Sequence, residues 1–165
     1  MKEIPLIKGF SAVVDDEDYP LVSEYGWFPR VRKHTVYVEC NMFLEDGKRH
    51  TVNLHRFIMK PSSAQEIDHI NHNGLDNRKS NLRVCLRSEN AKNRSVNSNS
   101  TSGYKGVCFH RASNKWQAYI GCNKEFRYLG LFATAEDAAR AYDAAAIEGF
   151  GEFASPNFSN AEEEG

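Results

Sequence analysis

Ile67-Asp68-His69-Ile70-Asn71-His72-Asn73-Gly74-Leu75-Asp76-Asn77-Arg78-Lys79-Ser80-Asn81-Leu82-Arg83-Val84-Cys85 is the stretch on which the architecture turns. Ile67 to Ile70 has the apolar-polar-polar-apolar pattern of a strand stub. Asn71 to Asn77 is too polar and turn-prone for a regular element, because Asn and Asp bond their own backbone and Gly adopts left-handed turns. Asn81 to Cys85 reads as a second stub. Ser88 then stands as the N-cap of a short helix through Asn93.

Upstream, residues 1–60 read as strands. Ala12-Val13-Val14 is a short apolar run closed by the acidic turn Asp15-Asp16-Glu17-Asp18. Thr35 to Cys40 is β-branched and aromatic, and Glu45-Asp46-Gly47-Lys48 carries the Asp-Gly signal of a hairpin. The return strand is expected over His50 to His55, running into Arg56-Phe57-Ile58-Met59 as a short helix or more strand. Downstream, residues 95–102 are Ser/Asn-rich, the composition of a linker. Three strands are expected over Gly106–Phe109, Trp116–Ile120 and Phe126–Gly130. A helix follows from Ala135 to Ile147, rich in alanine, with Thr134 as cap and Gly149 as stop.

The formal net charge is -1, which alone argues against a polyanion partner. Its distribution argues the other way. Between Arg30 and Gly130 there are 18 Lys+Arg against 8 Asp+Glu, and the acidic excess lies in the flanks. A basic middle suits a nucleic-acid face, although a chance split between solvated surfaces would look the same. The four cysteines form no C-x-x-C pair, so no structural zinc is expected. No apolar run approaches the ~18 residues of a membrane span, and the start lacks a signal-peptide pattern. A cytoplasmic protein is therefore expected.

Asp68-His69, then Asn81 twelve residues after the histidine and Asn90 nine further on, resembles the HNH endonucleases. More closely, it resembles the phage and intron-encoded branch whose last motif position is Asn. The resemblance implies a ββα-metal fold, with His69 as general base and Asn81 holding it in orientation. Asp68 and Asn90 would be ligands to one divalent metal ion, foremost Mg²⁺ with Mn²⁺ as alternative. These residue types suit the hydrolysis of a phosphodiester. A hard cation takes oxygen ligands and neutralises the phosphate, and an imidazole can take a proton from water near neutral pH. Because neighbours on a strand face opposite ways, Asp68 and His69 require a break after Ile67. Each residue also has a plainer reading. Asp68 and Asn81 could be turn residues, His69 a half-buried histidine, Asn90 an exposed helix residue and His72 a solvated loop residue. His55 reads as structural. Arg56, Arg78 and Arg83 are candidate phosphate contacts.

Ser102-Gly103-Tyr104-Lys105-Gly106-Val107, Asn114-Lys115-Trp116-Gln117-Ala118-Tyr119-Ile120, Tyr128-Leu129-Gly130-Leu131-Phe132, Thr134 to Asp143 and Pro156-Asn157-Phe158 together resemble the Apetala-two domain of plant ethylene-response factors. That resemblance implies a three-stranded antiparallel sheet packed on one helix, with the sheet in the major groove of DNA. The candidate DNA contacts are Lys105, Arg111, Lys115, Trp116, Tyr119 and Arg127. Trp116 and Tyr119 are three apart, so at least one should be buried. Cys108 and Gly121 stand where arginines are usual in the family, and the first turn is longer by one residue. The plant target sequence therefore does not carry over.

The reading is an α+β chain. Residues 1–94 hold the leading strands and the nuclease module, 95–102 the linker, 103–160 the DNA-binding domain and 161–165 an acidic tail. The expected function is metal-dependent cleavage of double-stranded DNA, of homing type, by a monomer or homodimer. The rivals are a non-catalytic DNA-binding regulator or packaging accessory, and an enzyme acting on RNA.

Overall fold

In the computed structural model, residues 1–43, 45–90, 92, 96, 100–122 and 125–158 are described. The chain divides into two compact units, Met1–Asn90 and Ala91–Gly165. Small antiparallel sheets and separate helices make the architecture α+β. No helix among the described residues is long and apolar enough to cross a membrane. Half of the expected linker, and the whole of the acidic tail, fall outside the described residues.

In the first unit, β1 (Lys2–Pro5) pairs antiparallel with β2 (Ser11–Val14), placing Ile4 opposite Ala12. A helical turn, α1 (Tyr19–Val22), follows with Pro20 in its first turn, where a missing N–H costs nothing. Next come β3 (Phe28–Val31), β4 (Val36–Phe43) and β5 (Arg49–Asn53), in the order β3-β4-β5. The Asp46-Gly47 turn joins β4 to β5 as expected, with Gly47 at φ +71° and Asp46 accepting from the Lys48 N–H at 2.9 Å. The return strand stops at Asn53, and α2 (Leu54–Met59) begins there, so His55 lies on a helix and not on a strand. The cause is burial: one helical turn drives Leu54, fully buried, into the core.

That core is Ile4, Leu6, Ala12, Val14, Val22, Trp27, Val38, Cys40 and Leu54. It is built almost wholly from residues preceding the Asp68-His69 motif. The motif itself lies on a two-stranded ribbon, β6 (Glu66–His69) and β7 (Leu82–Cys85), followed by α3 (Arg87–Asn90). Ser88 is inside α3, not its cap. The Glu89 carboxylate instead accepts the Leu86 N–H at 2.7 Å. Of the expected continuation to Asn93 only Lys92 is described, and it lies in a turn.

In the second unit, β8 (Val107–His110), β9 (Lys115–Cys122) and β10 (Glu125–Phe132) form one antiparallel sheet in the order β10-β9-β8. Helix α4 (Ala135–Phe150) covers one face. Thr134 caps it, its hydroxyl accepting from the Asp137 N–H at 3.1 Å. The helix runs through Gly149 and stops at Gly151, φ +54°, because Phe150 is still buried and keeps the last turn on the core. Buried Ala138, Ala139, Ala145 and Ala146 leave no bulk between helix and sheet. Gly106 shows how close the packing is. At φ +70° its missing Cβ would run into the Tyr142 ring and the Tyr119 carbonyl oxygen.

The segment Asn157-Phe158 is locked to this unit by Asp143. Its buried carboxylate accepts from Asn157 N at 2.7 Å, Asn157 Nδ2 at 2.9 Å and Phe158 N at 3.0 Å. Asn157 in turn accepts from the Lys105 N–H at 2.6 Å. Asp143→Ala strands these donors, and we expect it to destabilise the second unit by about 2–3 kcal/mol in urea unfolding.

Candidate active site

The site is built on the β6–β7 ribbon. Alternation places Glu66 and Asp68 on one face and Ile67 and His69 on the other. The strand is unbroken to His69, which pairs with Leu82, and the ladder continues as the Ile70 N–H donates to the Asn81 carbonyl at 2.9 Å. The break expected after Ile67 is absent because pairing with β7 holds the extended backbone to the end of the stub. Asp68 and His69 therefore diverge.

On the first face, Asp68 Oδ2 meets Arg83 Nη2 at 2.5 Å, and both side chains are largely buried. Asn90 reaches the same face from α3, its amide donating to Glu66 Oε2 at 2.6 Å. On the second face, buried His69 lies against His55, ring centroids 5.0 Å apart and nearly perpendicular, with Tyr37 at 5.9 Å. Burial pulls the His69 imidazole below its usual range, while the Asn77 side chain and the carboxylates of Asp68 and Asp76 push it back up. His55 is driven down to about 3 by burial, with neighbouring His69 and Arg56 acting in the same direction. Its Nδ1 is buried with no hydrogen-bond partner.

The loop between the strands is held by its own Asx side chains. Asn81 Nδ2 donates to the Asp76 carbonyl at 2.8 Å, and Asn81 Oδ1 accepts from the Asn71 N–H at 3.0 Å. Asn71 also donates to Asp76 at 2.9 Å, and fully buried Asn77 donates to the Gly74 carbonyl at 3.2 Å. The leading strands brace it from outside. Val13 donates to Leu75 at 2.8 Å and accepts from Asn77 at 2.7 Å, and Asp15 accepts from the Lys79 N–H at 2.8 Å. Gly74 passes so close to β4 that a Cβ would lie 2.5 Å from the Val36 carbonyl oxygen.

Several expected contact residues already have partners within the chain. Arg56 donates to the Gln65 carbonyl at 3.0 Å, and Arg78 forks onto Asp76 at 2.8 and 2.6 Å. His72 is exposed, at φ +60°. In the second unit Lys105 Nζ turns onto the Ser155 carbonyl and hydroxyl. Trp116 packs against the Val107–Ala118 cluster, on the helix side of the sheet. Arg127 stands opposite buried Ile120, hence also on the helix side, and meets Glu148 at 3.1 Å. The other face carries exposed Lys115, with Tyr119 against exposed Tyr128 at 5.1 Å. Arg111 is exposed in the turn after β8. Phe126, 83% exposed, lies over Gly121.

Glu66, Tyr37, Asn77, Phe126 and Tyr128 were not singled out in the sequence. The alternation Phe126-Arg127-Tyr128 could have revealed the last two; nothing local marks Glu66, Tyr37 or Asn77.

Among the described residues no group of three or more His, Cys, Asp or Glu is placed to hold a metal ion. The oxygen donors of Asp68 and Asn90 at one face still fit a hard divalent cation, which binds few protein oxygens and keeps several waters. The chemistry of the donor set is oxygen only, with Arg83 holding the Asp68 carboxylate in place.

Residues 61–92 match the HNH endonuclease family. Over 156 residues the chain is 34% identical to an uncharacterized HNH endonuclease of Acanthamoeba polyphaga mimivirus, covering 91% of this chain and 76% of that protein. The chain belongs to the HNH endonuclease family. Shorter likenesses are to plant proteins. APETALA2-like protein 2 of Oryza sativa subsp. indica is 48% identical over 60 residues, 36% of this chain and 14% of its own length. An AP2-like ethylene-responsive transcription factor of Arabidopsis thaliana is 50% identical over 64 residues, 37% of this chain and 13% of its own.

Two outcomes follow from the geometry. Gly74→Ala should push the loop off β4 and lower the stability of the first unit by about 1–3 kcal/mol, measured by urea unfolding. For His55, both folded and unfolded chains are neutral above its ordinary 6.5, and between 6.5 and about 3 only the unfolded chain takes up the proton. Stability should therefore fall on acidification by up to about 1.4 kcal/mol per pH unit. His55→Gln should flatten that slope in urea midpoints measured from pH 7 to 5, above the range where carboxylates titrate.

Proposed function

We propose that the first unit is a divalent-metal-dependent endonuclease of double-stranded DNA, of the ββα-metal type with Asn at the last motif position. The observation that carries the reading is the placing of Asp68 and Asn90 at one face of a short ribbon whose last residue is His69. A divalent ion bound there would neutralise the scissile phosphate and stabilise the leaving oxygen.

The chain's own residues supply the rest. Asp68 and Asn90 would hold the ion through oxygen. His69 is kept neutral by burial, the form in which an imidazole can take a proton from the attacking water. The ribbon ends at His69 and Leu82, with Asp68 and His69 emerging on its two faces. Asn77 and the His55 and Tyr37 rings fix the imidazole plane. Asn81 acts one step back, by closing the loop that follows His69.

The second unit is proposed as an Apetala-two-like binder of duplex DNA that places the nuclease. Its outer sheet face and first turn offer Lys115, Arg111 and Tyr119 for phosphate and base contacts. A phage or mobile-element setting and a homing role rest on the resemblance alone. A monomer with one site would nick, and a symmetric dimer would cut both strands.

The test is purified protein with supercoiled plasmid and Mg²⁺ or Mn²⁺, beside His69→Ala and an EDTA control. We expect metal-dependent nicking or linearisation, lost by at least about 100-fold in His69→Ala with duplex binding retained. Binding of duplex without cleavage of the plasmid or of randomised target libraries would sink the enzyme in favour of a non-catalytic DNA binder. Preferential cleavage of RNA would move the substrate class.

A further inference from the structure

We propose that Glu66 is the positioning residue of the metal-binding asparagine, holding the Asn90 amide by its nitrogen so that its oxygen is turned towards the cation. The inference rests on the reading of Asp68 and Asn90 as metal ligands given above.

Glu66 and Asp68 are two apart on β6 and emerge on the same face, opposite Cys85 and Arg83 of β7. Asn90 arrives from the end of α3, and its Nδ2 donates to Glu66 Oε2 at 2.6 Å, across 24 residues of sequence. The backbone beneath Asn90 is already secured. Its N–H donates to the Leu86 carbonyl at 3.0 Å, while Glu89 holds the Leu86 N–H at 2.7 Å. With the backbone fixed, the orientation of the terminal amide still has to be set by its side-chain partner.

That orientation decides whether the residue can be a ligand. One orientation offers a carbonyl oxygen, which a hard cation accepts. The other offers an NH₂ group, which has only donors and cannot ligate. A carboxylate is an acceptor only, so Glu66 can engage Nδ2 and not Oδ1. It selects the orientation in which the oxygen is available. Glu66 also adds charge to the face. Glu66 and Asp68 place two carboxylates on this face, and of these Asp68 is paired with the Arg83 guanidinium.

Groups behind metal ligands usually change affinity by about 10–100-fold when removed. The experiment is titration of the full chain with Mn²⁺ alone, without DNA, following the signal of free Mn²⁺ by electron paramagnetic resonance. Wild type, Glu66→Ala, Glu66→Gln and Asp68→Asn are compared, with circular dichroism to confirm folding. Glu66→Ala should weaken Mn²⁺ binding by about 10–100-fold. Glu66→Gln keeps an acceptor oxygen for Nδ2 and should stay within a few-fold of wild type. Should the alanine variant fail to fold, Glu66→Met keeps the packing stem without an acceptor and should show the same loss.

Unchanged affinity in Glu66→Ala or Glu66→Met, with binding lost in Asp68→Asn, overturns the role of Glu66 and leaves the ligand assignment standing. A loss in Glu66→Gln equal to that in Glu66→Ala overturns positioning in favour of a direct charge effect. Absence of Mn²⁺ binding in wild type, or binding indifferent to Asp68→Asn, removes the ligand reading itself.

Discussion

The closure of the loop by Asn81 is the interaction on which the candidate site depends. One buried side chain bonds Asn71 at the start of the loop and Asp76 near its end, in the same register that lets β6 pair with β7. The polar stretch from Asn71 to Asn77 carries few apolar side chains, so hydrogen bonds such as these, with Asn71–Asp76 and Asn77–Gly74, fix its path. The leading strands supply the second constraint. Val13 uses both its N–H and its carbonyl on the loop, so β2 acts as a partial strand partner to a segment that has no strand character. The hydrophobic core of the first unit is thus a platform, and hydrogen bonds carry its rigidity outwards to His69.

Electrostatics on the ribbon are arranged by face. Asp68 is balanced by Arg83 on one side. On the other, His69 and His55 share a buried aromatic pocket in which charging either ring is unfavourable. This division separates the carboxylate-bearing face from the imidazole-bearing one by a single strand thickness. It also explains why so many basic side chains here are not free. Arg78 and Arg83 neutralise carboxylates that would otherwise be uncompensated in a half-buried setting.

The second unit follows a different logic. Small side chains on α4 allow close approach to the sheet, and Asp143 then ties the returning chain to Lys105 through Asn157. The network uses Lys105 internally, and the register of β10 carries Arg127 to the helix side. What remains on the outer face is aromatic as much as basic, with Phe126 lying over the space left by Gly121.

Local chemistry made much of this legible in advance. Asp46-Gly47 specified its turn, Thr134 its cap, and the alanine run its helix, because each depends on neighbours within a few residues. The spacing of Asp68, His69, Asn81 and Asn90 pointed to the nuclease family, which the matched residues 61–92 also indicate. The sequence did not announce that β5 would give way to α2 at Leu54, because burial against distant Val14 and Val38 decides it. Nor could it show which face each side chain takes. Ribbon register sends Asp68 to Arg83 and His69 to His55, and β9–β10 pairing sends Arg127 to Glu148. Residue types and their spacing were thus set by the sequence itself. Their partners were decided only by tertiary structure, because strand register and core burial join residues that lie far apart along the chain.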